Sequence, residues 1–251
     1  MPKLIILGTA NAIPDEKHEN THLALSRAGR LVLIDCPDSP LVRLRRAGLD
    51  FHQLTDLILT HFHPDHVAGV PSLLIQCWLL GRKQGLKIHG LGHTLDRIEK
   101  LMDFYDWTTW PRFYPVEFHR LPEKELTPVL QDPEWRILAS PVCHMTPGIG
   151  LRIEFPETGK VLAYSGDTHP CETEYSLERG ADVLIHEASG VHPVHSSAAQ
   201  AGEAAAQAGV KELYLIHYPV GDFDPRQLIQ QARQTFQGPV RLAEDFMEIE
   251  F

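Results

Sequence analysis

Short apolar runs alternate with amphipathic stretches along the whole chain. Runs of strand character fall at residues 4–7, 22–26, 31–35, 57–60, 87–90, 135–140, 150–155, 161–164, 183–186, 213–217 and 245–251. Apolar residues at helical spacing predict helices over 40–47, 67–80, 95–105, 171–179, 197–208 and 225–234. Strands follow one another directly in places and elsewhere alternate with helices. An α/β arrangement of sheets covered by helices is therefore expected.

Several apolar runs stop at residue types that bind metals. The run Leu57-Ile58-Leu59-Thr60 ends in His61-Phe62-His63-Pro64-Asp65-His66, which sets three imidazoles and a carboxylate at a strand-to-helix corner. Extended backbone lets His61 and His63 project the same way, while Asp65 and His66 emerge at the next corner, within reach of a second ion. Imidazole and carboxylate suit zinc, and also manganese or iron, better than calcium. His144 follows the strand at 135–140, Asp167 follows Tyr164-Ser165-Gly166, and His217 closes Leu213-Tyr214-Leu215-Ile216. A lone histidine at a strand end is commonly structural, but three further ligand types beside so dense a cluster favour a metal centre.

Composition narrows the classes. A length of 251 residues with 43% hydrophobic and 22% charged residues fits one domain spanning 1–251 with a sizeable core. No apolar stretch nears the roughly 20 residues needed to span a bilayer, and the start at Met1 reads as a first strand, so the cytoplasm is the expected compartment and no membrane partner is expected. Cys36, Cys77, Cys143 and Cys171 lack paired spacing, as reduced thiols do. A net charge of −10 argues against a broad basic face for long nucleic acid, although a metal centre could still attract a small anionic substrate.

The order His61-x-His63-x-Asp65-His66, His144, Asp167, His217 resembles that of the metallo-β-lactamase-fold hydrolases, over nearly the whole chain. That resemblance implies a four-layer αβ/βα sandwich with the site at one edge between two sheets. It also implies that His61, His63 and His144 hold one ion, that Asp65, His66 and His217 hold another, and that Asp167 bridges them. Gly8-Thr9, Ser165-Gly166-Asp167-Thr168, His186-Glu187-Ala188-Ser189 and His195-Ser196-Ser197-Ala198 resemble the ribonuclease Z-like branch, in which the counterparts of Glu187 and His195 pair beside the metals. The branch is commonly dimeric, so a homodimer is implied. Only Pro156-Glu157-Thr158-Gly159 stands where ribonuclease Z proteins commonly insert a long arm that clasps transfer RNA; Asp35-Cys36-Pro37-Asp38 departs from the usual glycine-rich acidic stretch, and His169 stands where arginine is frequent. Transfer RNA stays open as a substrate on the branch's chemistry, with the missing arm and the acidic charge against it.

The expected activity is phosphodiester hydrolysis at two zinc ions, with Mn2+ or Fe2+ also compatible. Ions about 3.5–4 Å apart would lower the pKa of a shared water, and Asp65 would orient the resulting hydroxide. His195, kept protonated by Glu187, would hand a proton to the departing alkoxide. An aryl sulfatase, lactonase or other small-ester hydrolase on the same centre is the alternative, since the aromatic segment 104–114 could wall a site for a lipophilic substrate, although packing in a core or interface is its commoner use. A non-catalytic scaffold would show eroded ligands, and all seven positions are intact. His18, His22, His52, His89, His93 and His119 have no ligand context and read as surface or locally hydrogen-bonded groups, while His169 and His192 lie closer to the motifs.

Overall fold

The computed structural model describes residues 1–27 and 29–251. One sheet is built from β1 (Lys3–Gly8), β2 (His22–Arg27), β3 (Arg30–Ile34), β4 (Leu54–Ile58), β5 (Leu86–Leu91) and β6 (Val116–Leu121). The other contains β7 (Thr127–Gln131), β8 (Arg136–Val142), β9 (Gly148–Phe155), β10 (Lys160–Tyr164), β11 (Val183–Glu187), β12 (Glu212–Ile216) and β13 (Val240–Leu242). The late strand β14 (Glu248–Glu250) returns to pair with β1, so the orders are β14-β1-β2-β3-β4-β5-β6 and β13-β12-β11-β10-β9-β8-β7. Strands β3 to β6 run parallel to one another, and so do β10 to β13. The helices are α1 (Pro40–Arg46), α2 (Pro64–Val67), α3 (Val70–Leu79), α4 (Gly92–Asp103), α5 (Glu172–Glu178), α6 (Ala198–Ala208) and α7 (Arg226–Ala232).

Strand alternation sorts side chains between layers. In β1, Leu4 and Ile6 enter the core between the sheets, while Ile5 and Leu7 face the helix layer containing Leu41, Leu74 and Ile98. In β12, Tyr214 and Ile216 face the other sheet, and Leu213 and Leu215 face Ala201, Ala205 and Leu228. Both faces of the central strands are thus covered, which is why their sequences read as continuous apolar runs. The result is the expected four-layer αβ/βα sandwich.

Several boundaries differ from the sequence reading, two of them beside the His61–His66 segment. The expected helix over 67–80 is two helices, α2 and α3, broken at Ala68 and Gly69. A Cβ on Gly69 would lie 1.8 Å from the Pro37 carbonyl oxygen, and the Gly69 N–H donates to Cys36 O at 2.9 Å. The expected strand at 57–60 is displaced to β4, because the Thr60 N–H leaves the ladder for Asp35 Oδ1 at 2.7 Å. The strand at 245–251 shortens to β14, since the Asp245 carboxylate accepts from Thr9 Oγ1 at 2.6 Å and pairs with Arg43. Strands β6, β7 and β13 were not expected.

Gly69→Ala should therefore destabilise the chain, because the added methyl meets backbone rather than a side chain that can turn away. Overpacking of this kind costs about 1–3 kcal/mol, or on the order of 2–10 °C in Tm for a chain of this length. A melting temperature equal to wild type would show that the corner is not held by this contact.

Candidate metal centre

Parallel strands end together at one rim, and polar residues that follow them meet there. Beyond β4 the chain stays extended through His63, whose φ and ψ are −103° and 151°, and then enters α2 with Pro64 in its first turn. The extended backbone turns His61 and His63 to one side, with His61 Nε2 3.0 Å from His63 Nδ1. His144, in the loop after β8, brings its Nε2 to 3.2 Å from the same His63 nitrogen. Asp167 arrives after β10 and His217 after β12. One oxygen, Asp167 Oδ2, lies 3.8 Å from His61 Nε2, 3.5 Å from His66 Nε2 and 3.4 Å from His217 Nε2. Asp65 Oδ2 lies 3.5 Å from both His66 Nε2 and His217 Nε2.

Two sets of donors result, each with its atoms within 4.8 Å of one another: His61, His63, His144 and Asp167, and then Asp65, His66 and His217. All seven residues expected from the sequence converge. His66 Nε2, His217 Nε2 and Asp167 Oδ1 are buried without a hydrogen-bond partner. Buried lone pairs in that state are costly unless a cation or proton lies among them, so the donor set fits divalent metals of the zinc, manganese or iron type.

Neighbours fix the rings. His66 Nδ1 donates to Asp35 Oδ2 at 2.8 Å, His144 Nδ1 donates to the Val194 carbonyl at 2.8 Å, and His217 Nδ1 contacts Ser189 Oγ at 2.7 Å. For His66 and His144 this leaves Nε2 as the lone-pair nitrogen in the neutral ring. Asp35 also accepts from the Thr60 N–H and, at 2.8 Å, from Thr60 Oγ1. Asp35 and His217 both take left-handed backbone, with φ of 63° and 53°, an uncommon state for residues with a Cβ and one found where surrounding structure over-determines it.

Electrostatics follow the packing. Burial, then the neighbouring His66, hold His61 well below the usual imidazole range, and burial and His144 lower His63. Burial works against ionised Asp167, but the charges of His217 and His66 outweigh it and keep the carboxyl well below its usual range. The rim therefore sets the depressed imidazoles of His61 and His63 beside an ionised Asp167, while at His66 burial is outweighed by Asp167 and Asp35, which raise it well above the usual imidazole range.

His195 stands beside this set. Its Nδ1 donates to Glu187 Oε1 at 2.9 Å, and the same carboxylate accepts from the Thr168 and Ser189 N–H groups at 2.7 and 3.3 Å. Burial disfavours the charged ring, yet the hydrogen bond and charge of Glu187 raise His195 above the ordinary histidine value. Ser197, not His195, caps α6, as its side chain accepts from the Gln200 N–H at 3.2 Å. A groove of about 440 Å³ opens over His63, Asp65, Asp167 and His217 and is walled by Asn11, Ala12, Ser189, His192 and His195.

The aromatic segment does not wall this groove. Trp110 stacks on Trp78 of α3 at 5.3 Å, and Trp107, Trp110 and Phe113 pack against the helix-side core of the first sheet, which is the packing use. His22 and His89 are buried rather than superficial. His22 Nδ1 donates to Asn20 O, and His89 Nε2 contacts Asp56 Oδ1. His192 reaches the groove wall, whereas His169 is held by Cys143 and Pro170 outside it. Asp35 and Ser189 were missed as supports, although Asp35 obeys the same rule of a polar residue ending an apolar strand.

Residues 30–218 match the beta-lactamase superfamily domain. A protein named Ribonuclease Z from Methanothermobacter thermautotrophicus is 27% identical over 305 aligned positions, covering all of this chain and 97% of that protein. Another of that name from Mycolicibacterium gilvum is 31% identical, covering 87% and 84%. The crystal structure of the metallo-beta-lactamase fold protein YhfI from Bacillus subtilis superposes with a TM-score of 0.85 at 21% identity, covering 100% of this chain and 99% of that one.

Replacing Asp35 with asparagine should leave His66 in place but loosen its orientation. Losing such a support typically lowers metal affinity on the order of 10–100-fold, readable by competition with a chelator. Unchanged affinity would remove Asp35 from the centre.

Proposed function

Because the chain belongs to the beta-lactamase superfamily, in its ribonuclease Z-like branch of metal-dependent hydrolases, we propose that it cleaves phosphodiesters at a dinuclear zinc centre. His61, His63 and His144 would hold one ion, Asp65, His66 and His217 the other, and Asp167 both; Mn2+ or Fe2+ suits the same donors. Ions there would supply Lewis acidity toward water and the phosphoryl oxygens.

The chain's own residues do the rest. Asp65, on the groove floor, orients the attacking hydroxide by accepting a hydrogen bond from it. Glu187 fixes His195 through Nδ1, so the charged ring carries its second proton on Nε2 and delivers it to the departing alkoxide. The single observation that carries this reading is His195 reaching the donor set itself: a ring nitrogen of His195 lies within 4.8 Å of donors from Asp167 and His217. A hydrolase acting on an ester with a good leaving group has no need of such an acid, whereas a phosphodiester with an alkoxide leaving group does.

Substrate size follows from how little chain extends beyond the two sheets. The four residues 156–159 close the β9–β10 hairpin, and the alignment to the archaeal ribonuclease Z needs more positions than this chain has residues. With a net charge of −10, these features favour a short diester or a single-stranded end over a folded transfer RNA held along its length.

His195→Ala should lower turnover of a dinucleotide by about 10²–10⁴-fold while sparing bis-nitrophenyl phosphate, whose leaving group departs without a proton, and metal content should equal wild type. Equal losses on the two substrates would overturn the assigned role. A nitrophenyl sulfate or a lactone turned over faster than the diesters would overturn the substrate class.

A further inference from the structure

Strand alternation gives the two residues at the end of β11 opposite duties. Glu187 serves the hydrolytic groove, while His186, two residues beyond Leu184 of the helix-side core, faces α5. Glu174 and Glu178, one helical turn apart, lie on one side of α5 and meet it there. All three residues are at most 2% exposed. His186 Nε2 is 2.7 Å from Glu174 Oε1 and 3.7 Å from Glu178 Oε1. All three atoms are buried without a hydrogen-bond partner.

The histidine is already set for coordination. Its Nδ1 donates to the Glu187 carbonyl at 2.8 Å, which leaves the lone pair of the neutral ring on Nε2, facing two carboxylates. Lone pairs at these distances repel unless a proton or a metal ion joins them; the 2.7 Å contact suits a proton, and a metal ion would widen it. Two carboxylates and one imidazolium leave a buried negative charge, and among the described residues no lysine or arginine pairs with either glutamate. A divalent ion with a neutral ring cancels the charge. Donor atoms on one tetrahedral ion with bonds of about 2.0–2.2 Å lie about 3.4 Å apart, within the span seen here. Burial, resisted by His186 and reinforced by Glu174, pushes the Glu178 carboxyl up to about 8, and at His186 burial is outweighed by the two glutamates, which raise it to about 10, so protons on these groups are what a bound ion would displace. A cavity of about 570 Å³, lined in part by Cys171, Glu172, Tyr175 and Gln200, opens onto both glutamates and gives an ion a way in.

We propose that Glu174, Glu178 and His186 form a further divalent-metal site of the zinc type, separate from the hydrolytic centre, which pins α5 to β11. The ion ties together the segment that follows Asp167 and the strand that carries Glu187.

The test is zinc content and melting temperature of three proteins: wild type, Glu174→Gln/Glu178→Gln, and a variant disabled at the hydrolytic centre by His61→Ala and Asp65→Ala. The glutamine pair should lose one zinc ion per chain and keep those of the hydrolytic centre. The disabled variant should keep one ion, and zinc at about 100 times its Kd should raise its melting temperature by about 5–10 °C. Adding the glutamine pair to that variant should abolish both effects. If the glutamine pair fails to fold, the disabled variant decides alone, with cobalt absorption reporting a nitrogen–oxygen site. No ion and no zinc-dependent stabilisation in the disabled variant would overturn the proposal and leave a shared proton as the bridging charge. Because the two sets of ions are counted in different variants, that result would not bear on the hydrolytic centre.

Discussion

Seven groups that repel or ignore one another must be held at one rim. Imidazole and carboxylate lone pairs facing each other have no reason to assemble on their own, so the centre exists only because the sandwich imposes it. The imposition is made by hydrogen bonds on the far side of His66, His144 and His217, from Asp35, the Val194 carbonyl and Ser189, and by the strands behind them. Apolar burial on both faces of those strands stabilises the frame, and the frame spends part of that stability on crowded polar groups and left-handed backbone at Asp35 and His217.

One carboxylate links the frame to the corner most directly. Asp35 joins the end of β3 to Thr60 and His66, while the next backbone N–H, that of Cys36, donates to the His66 carbonyl at 2.7 Å. The loop after β3 thereby grips the ligand corner from two directions, and Gly69 permits the close approach that this needs. The corner is rigid before any ion enters, which reduces the ordering cost of binding.

Much of this was readable from the chain because strand and site obey the same pattern. Buried parallel strands give apolar runs, and a ligand type at the end of a run marks the rim, which is why His61, Asp167 and His217 stood out. What escaped has physical causes. β6 carries Glu117, His119 and Arg120 at an edge, where one face is wet, and β7 contains Pro128 beside a register shift, as edge strands tolerate. β13 is three residues long and owes its pairing to β12. The break between α2 and α3 depends on how closely Pro37 passes, a contact between distant segments that no local pattern encodes. His186 was visible in a motif, but its partners lie on α5, and only the packing of that helix joins them.

The hairpin between β9 and β10 carries a consequence for how this architecture diversifies. Its tip is exposed and lies at the start of β10, whereas Asp167 follows that strand's other end, so the tip and the rim bearing the donor set sit at opposite ends of the sheet. Lengthening a surface turn raises its closure entropy only logarithmically, and the ladder on either side need not change. Chain grafted at this tip can add surface while the donor geometry stays untouched. Surface at the tip and donor spacing at the rim are thereby free to vary independently.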